Sequence, residues 1–293
     1  MSTLAVSRSD SRLALAALVF GALVIGSTPI LVRLAACGPA AAGFWRLAFA
    51  TPLLAVMAAR QSGGIGRPST AMWLAGLTFA LDLGCWHYSI RYTSVANATV
   101  LPNLTPVLVT LASWIWLKER PRPVFLVGMV AAIGGAVVMA EASSSARAGP
   151  LPHLGDALAA STAVWYGLYF LAVRSARQSH STVRVVLWSC LFGAPLLLAT
   201  ALAAGEPVLP ATTAGWAAAV GLGLAHVFGQ GSIAWALGRL PVSTASVTVL
   251  VQPVVAALLA YLIFAEALTP LQAAGGAAAL IGVVIAQQAP ARS

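Results

Sequence analysis

Apolar runs of about 20 residues follow one another through this chain almost from end to end. A helix of that length covers the roughly 30 Å hydrocarbon core of a bilayer. Lipid offers no partner to a backbone N–H or C=O, so a run of this kind must close its hydrogen bonds within itself. Read between clusters of charge and turn residues, the runs number ten, at about 13–33, 40–59, 71–91, 94–117, 123–141, 155–175, 183–204, 212–236, 241–265 and 268–288. Only 8% of the side chains are charged and 60% are apolar, against about 25% charged in an average soluble domain. The expected class is an all-α polytopic membrane protein with ten transmembrane helices and short connectors.

The formal net charge of +9 does not mark a nucleic-acid binder, because the sixteen Lys and Arg stand singly at helix ends and form no basic stripe. They read instead as topology. With a cytoplasmic N-terminus, the inner segments hold Arg8, Arg12, Arg60, Arg67, Lys118, Arg120, Arg122, Arg174, Arg177, Arg184, Arg239 and Arg292, against Arg33, Arg91 and Arg147 outside. That bias predicts an inner-membrane protein with both termini in the cytoplasm. The sixteenth charge, Arg46, falls inside a span. Cys37, Cys85 and Cys190 have no metal-ligand spacing, so neither a metal nor a disulfide is expected. The LAAC of Leu34 to Cys37 imitates a lipoprotein cleavage box, but Arg33 abuts it and the preceding run is long for a signal peptide.

Shifted by 147 residues, the segment from Val95 overlays that from Val242 with thirteen identities, among them Pro106 with Pro253, Glu119 with Glu266, Pro123 with Pro270 and Gly128 with Gly275. Earlier helices match at shorter offsets: Trp45, Phe49 and Pro52 fall on Trp188, Phe192 and Pro195. The chain therefore divides into repeats 1–146 and 147–293, joined by the polar connector 142–154. Five spans per repeat is an odd number, so the second copy enters the membrane from the opposite side. Inverted repeats of this kind are an architecture of secondary transporters, with substrate near the midplane between halves that rock.

These residues carry a family resemblance. The proline within the fourth span, the acid at its end and the following Pro and Gly (Pro106, Glu119, Pro123, Gly128), with their echo Pro253, Glu266, Pro270 and Gly275, resemble the drug/metabolite transporter superfamily and its ten-helix EamA-like exporters. Within that superfamily the chain is most similar to YddG-type aromatic amino-acid exporters. The resemblance implies export of aromatic and other apolar amino acids, with drug-like cations as the further option, and no cofactor.

Charge within a bilayer costs about 3 kcal/mol or more and needs a partner or water. Arg46 and Asp82 lie at similar depth in the second and third spans, where they can pair; the pair is either a structural lock or a place where substrate carboxylate or a proton competes. Trp86, His87 and Tyr88 point in three successive directions round the third helix. His87 aligns with Gln230 in the eighth, and Leu83 with His226, so His226 and Gln230, four residues apart, wet the face that symmetry matches to His87. Ser161, Trp165 and Tyr169 recur every fourth residue, as a stacking stripe for a planar substrate or as interhelical packing. Thr244, Thr248 and Gln252 do the same in the ninth helix, and the fourth adds Thr99 and Asn103; such stripes also glue helices together. Glu119 stands among Lys118, Arg120 and Arg122 and reads as a capping or gate-side ion pair.

The stretch VLPNLTPVLV, from Val100, interrupts an apolar helix. Proline removes a donor and frees carbonyls that lipid cannot satisfy, so the break must face protein or water. Pro106 and Pro253 belong to the duplicated scaffold as expected kinks, whereas Pro102 and Asn103 have no counterpart and are candidates for selectivity. An intramembrane enzyme would need paired aspartates, an HExxH or a serine with a base, and none stands out. No phosphate-binding loop points to ATP-driven transport. The polar inventory suits a neutral or zwitterionic solute, handled by a monomer or weak homodimer embedded in lipid; the alternatives are a drug or other metabolite exporter using Asp82, or a lipid translocator.

Overall fold

A computed structural model describes residues 8–93, 101–143, 150–265 and 269–288. Among these residues the regular structure is helical: α1 (Arg8–Gly26), α2 (Thr28–Leu34), α3 (Pro39–Ala59), α4 (Thr70–Tyr92), a 3₁₀ turn (Pro102–Leu104), α5 (Thr105–Trp116), α6 (Pro123–Ser143), α7 (Pro152–Ala176), α8 (Thr182–Ala203), α9 (Thr213–Ala225), a π turn (His226–Gln230), α10 (Gly231–Leu237), α11 (Val242–Thr248), α12 (Val251–Phe264) and α13 (Pro270–Gln288). Seven helical stretches among the described residues are long and apolar enough to cross a bilayer, Asp10–Leu34 and Thr213–Leu237 among them. The chain is an all-α polytopic membrane protein. The expected span 71–91 is occupied by α4 and 123–141 by α6; of the expected span 94–117, residues 94–100, including Thr99, lie outside the described part.

The starts of the helices follow from local chemistry. Proline occupies the first turn of α2, α3, α5 and α7, where its missing N–H would have had no intrahelical acceptor. Ser69, Ser181 and Thr212 cap α4, α8 and α9 by accepting the N–H groups of Met72, Arg184 and Gly215.

Successive spans alternate in direction. At one end Ser181 donates to Gln61 Oε1 (2.6 Å), Arg184 to the Gly64 carbonyl (2.6 Å) and Arg174 to the Leu237 carbonyl (2.8 Å). Lys118, Arg120, Arg122, Arg177 and Arg239 lie at this end too, which we call the basic end. At the other, Gly38 N–H donates to the Pro207 carbonyl and Leu151 N–H to that of Tyr92. Glu206 ties this end together: its carboxylate accepts the Ala40 and Ala41 N–H groups at the start of α3 and the Tyr88 hydroxyl at 2.8 Å. Burial beside Glu206 pushes the neighbouring Cys37 thiol up from its ordinary range.

Buried faces are built from small residues, as expected where lipid is as apolar as the core and helices gain by close packing. Ala40, Ala50, Ala58, Ala75, Ala159 and Ala201 are fully enclosed. The closest crossing joins α6 to α13: a Cβ on Gly128, Gly135 or Gly282 would collide with the backbone nitrogen of Ala286, Ala279 or Ala132. Only glycine permits such backbone-to-backbone contact.

Candidate functional site

Besides the break at Ser27 between α1 and α2, three of the spans are interrupted, and residues at all four breaks line a cavity of about 370 Å³. The first is the 3₁₀ turn Pro102–Leu104 ahead of α5, where the Thr105 hydroxyl satisfies the Pro102 carbonyl at 2.7 Å. The second lies at Val249 and Leu250, between α11 and α12. Pro106 and Pro253 both stand in the first turn of the helix that follows the break, a position proline tolerates. The expected kinks are therefore helix restarts. Pro102, Pro106 and Pro253 all line the cavity.

The third interruption is the π turn His226–Gln230, whose extra residue re-aims two polar side chains. It is pressed against α1, since a Cβ on Gly21 would lie 2.6 Å from the Gly229 carbonyl oxygen. Gln230 reaches the cavity wall and donates to the Tyr169 hydroxyl at 2.9 Å. His226 lies behind the wall, 1% exposed, where its Nδ1 accepts from Arg46 Nε at 3.3 Å. An imidazole accepting at Nδ1 is neutral there.

The expected pairing of Arg46 with Asp82 does not form: among the described residues no bridge joins them, and the guanidinium turns to His226 and to the Phe79 ring, 5.3 Å from its centroid. Similar depth alone does not make a bridge, since Arg46 Nε is taken by His226. Both nevertheless line the same cavity. Asn103 and Gln252 face it as well, and Asn103 Nδ2 and Gln252 Nε2 are buried donors with no hydrogen-bond partner.

Aromatic rings make the rest of the wall. Trp86 and Tyr166 line the cavity with Phe79, and Tyr169 stacks behind Tyr166 (centroids 6.1 Å, planes 10° apart) and against Phe79 at 4.8 Å. The α7 face that meets the cavity is thus Thr162 and Tyr166, one residue round from the expected stripe of Ser161, Trp165 and Tyr169. Trp165 is half-buried away from the lining and Tyr169 is a buried support. The alternative four-residue spacing, Thr162 to Tyr166, was available in the sequence. What settles the rotation of α7 is its packing on α4, where Gly155 leaves no room for a Cβ against Thr93.

The remaining expected residues lie outside the lining. His87 is 5% exposed beside Trp86 (ring centroids 5.0 Å), with neither ring nitrogen hydrogen-bonded. Tyr88 binds Glu206 at the end of the bundle. Thr248 donates to the Thr244 carbonyl and accepts from Gln287 Nε2 at 3.1 Å, joining α11 to α13. Thr99 and Glu266 fall outside the described residues.

The cavity thus combines broken helices, aromatic rings and two unbridged charges. Comparison with known proteins finds transporters. A probable terminal-alkyne amino-acid exporter of Streptantibioticus cattleyicolor is 28% identical over 87% of this chain and 86% of its own length. The pseudopaline exporter of Pseudomonas aeruginosa is 27% identical over 82% of this chain and 83% of its own. An uncharacterized transporter of Archaeoglobus fulgidus is 27% identical over 92% and 95%. A solved crystal structure shares the fold, with a TM-score of 0.79 over 96% of this chain and 97% of that one at 23% identity. Residues 12–140 and 153–287 match the EamA-like transporter family, and the chain belongs to that family.

Proposed function

We propose that this transporter exports small zwitterionic metabolites, foremost aromatic and other apolar amino acids, by alternating access between two inverted five-helix repeats, 1–146 and 147–293. One observation carries the reading: Arg46 and Asp82 line one cavity without bridging each other, among the rings of Phe79, Trp86 and Tyr166. An α-amino acid offers a carboxylate to the guanidinium, an ammonium to the carboxylate and an apolar side chain to the rings. The volume lies within the roughly 300–1,000 Å³ of small-molecule sites. The printed name of one relative, an amino-acid exporter, supports the same substrate class. Asn103 and Gln252 supply further donors for the carboxylate.

The excess of Lys and Arg at the basic end supports placing that end in the cytoplasm of a bacterial inner membrane, with both termini inside. Export then runs from the basic end toward the Glu206 end. A second reading rests on Asp82 alone: an unbridged carboxylate in an apolar cavity also attracts hydrophobic cations, as a multidrug exporter would require.

Proteoliposome uptake of a panel of labelled amino acids, with and without a pH gradient, tests the proposal. Flux of aromatic amino acids above that of empty vesicles, lost in Arg46→Gln, is the expected result. Flux of lipophilic cations that survives Arg46→Gln but not Asp82→Asn would replace it with the multidrug reading.

A further inference from the structure

Below the cavity, toward the basic end, the structure changes character. All nine residues from Val242 to Leu250 are buried, and four of them carry hydroxyls: Ser243, Thr244, Ser246 and Thr248. Ser246 belongs to the cavity wall. Ser246 and Thr248 spend their hydrogen bonds on the preceding turn of α11. Thr244 Oγ1 does not, nor does Ser113 Oγ on α5, the helix packed against α11; both are enclosed and without a partner. An enclosed hydroxyl with no partner is costly and uncommon in a settled interface. Packing alone gives no reason for either one, whereas a passage that fills with water in another state does.

Glu119 closes the foot of this hydroxyl track. Its residue exposure is 4%, while Lys118 and Arg120 on either side are exposed. Lys118 takes a left-handed backbone (φ 57°), uncommon outside glycine, and the Glu119 N–H then bonds back to the Ser113 carbonyl at 3.1 Å. The turn carries the carboxylate under α5 to α11, where it accepts from Ser243 Oγ at 3.4 Å beside the Val242 and Ser243 N–H groups, with Arg174 of α7 as the countercharge.

We propose that substrate reaches the cavity from the basic end between α5 and α11, past Ser113, Thr244 and Ser246, and that Glu119 bound to Ser243 is the latch holding that route shut. The inference rests on the alternating-access reading, but its test does not need the substrate. Single cysteines are placed as Thr244→Cys or Ser113→Cys with Cys37 and Cys85 changed to Ser, and labelling by a membrane-impermeant maleimide is timed with the basic face exposed. The native Cys190, fully enclosed in α8, stays as the internal reference.

Cys at 244 is expected to label slowly with Glu119 present. Glu119→Ala should speed it about tenfold or more, the scale of one lost hydrogen bond to an ionised group. Glu119→Gln, whose amide oxygen still accepts from Ser243, should leave it near the starting rate, and Ser243→Ala should give a smaller rise than Glu119→Ala. Unchanged labelling in Glu119→Ala overturns the latch, as does a rise shared equally by Cys190, which would make Glu119 a support of the whole fold. Amino-acid flux with unchanged labelling would refute the latch alone; labelling as expected without flux of any amino acid would refute the substrate reading alone.

Discussion

The halves of the bundle on either side of the midplane use similar polar side chains to opposite ends. Around the cavity, Arg46, Asp82, Asn103 and Gln252 are left with unspent hydrogen-bonding capacity beside apolar rings. Toward the basic end, Ser243, Thr248, Glu119 and Gln287 turn to one another and to the backbone, and the unpartnered Thr244 and Ser113 stand apart from them on the track between α5 and α11. Polarity within a membrane is thus no sign of a site in itself. The sign is a polar group whose neighbours leave it something to bind.

Substitutions on the two sides should separate accordingly. The largest effect is expected for Arg46→Gln, which removes the only cation among the described residues that line the cavity; loss of a desolvated charge contact of about 2–5 kcal/mol should lower amino-acid flux by about thirtyfold or more, measured in proteoliposomes. Tyr166→Ala strips one ring from the wall and should weaken apparent affinity for aromatic amino acids about tenfold, while alanine as substrate is little affected. If both substrates suffer alike, Tyr166 is a packing residue and the contrast between the halves is blunted.

In the packed half, Thr248→Val keeps the shape but removes the acceptor for Gln287. A loss of about 1 kcal/mol of stability with flux unchanged is the expected outcome of thermal melting and transport assays run side by side. The smallest effect is a pH slope at Glu119. Its burial pushes the carboxyl above the ordinary 4.5, against the opposing pull of Arg174 and Ser243. A raised folded-state value means that the stabilisation is complete below 4.5 and is lost as pH climbs through the raised value. Melting temperature should therefore fall across that window in the native chain and fall less in Glu119→Gln.

Much of the fold was legible because lipid imposes a length on every span. The runs 71–91, 183–204 and 212–236 correspond to Thr70–Tyr92, Thr182–Ala203 and Thr213–Leu237. Arg46 and Asp82 stand out by the cost of charge inside a membrane, Pro102 and Asn103 by a helix break without a counterpart in the second repeat, and Trp86 and Gln230 by their placement round the third and eighth spans; all six line one cavity. Rotation about a helix axis was not legible. A residue count gives height in the bilayer, but which way Trp165 or Tyr166 faces depends on where α7 meets α4, and that is set by Gly155 and its neighbours on another helix. The π turn was hidden for the same kind of reason. His226 and Gln230 sit four apart in any register, and the spacing carries no mark of the extra residue that the turn accommodates where α1 packs closely on Gly229.

The glycine seam between α6 and α13 sets the mutational freedom of the protein. Since backbone meets backbone at Gly128, Gly135 and Gly282, even alanine at these places would have to drive two helices apart. Leu111 and Ile115 on α5, and Val127 and Val130 on the outer face of α6 itself, are exposed and can exchange for almost any apolar residue. In a saturation library selected for function, the seam should be a line of near-silence flanked by positions where sequence drifts freely, and new substrate specificities would have to be found in the cavity wall between them.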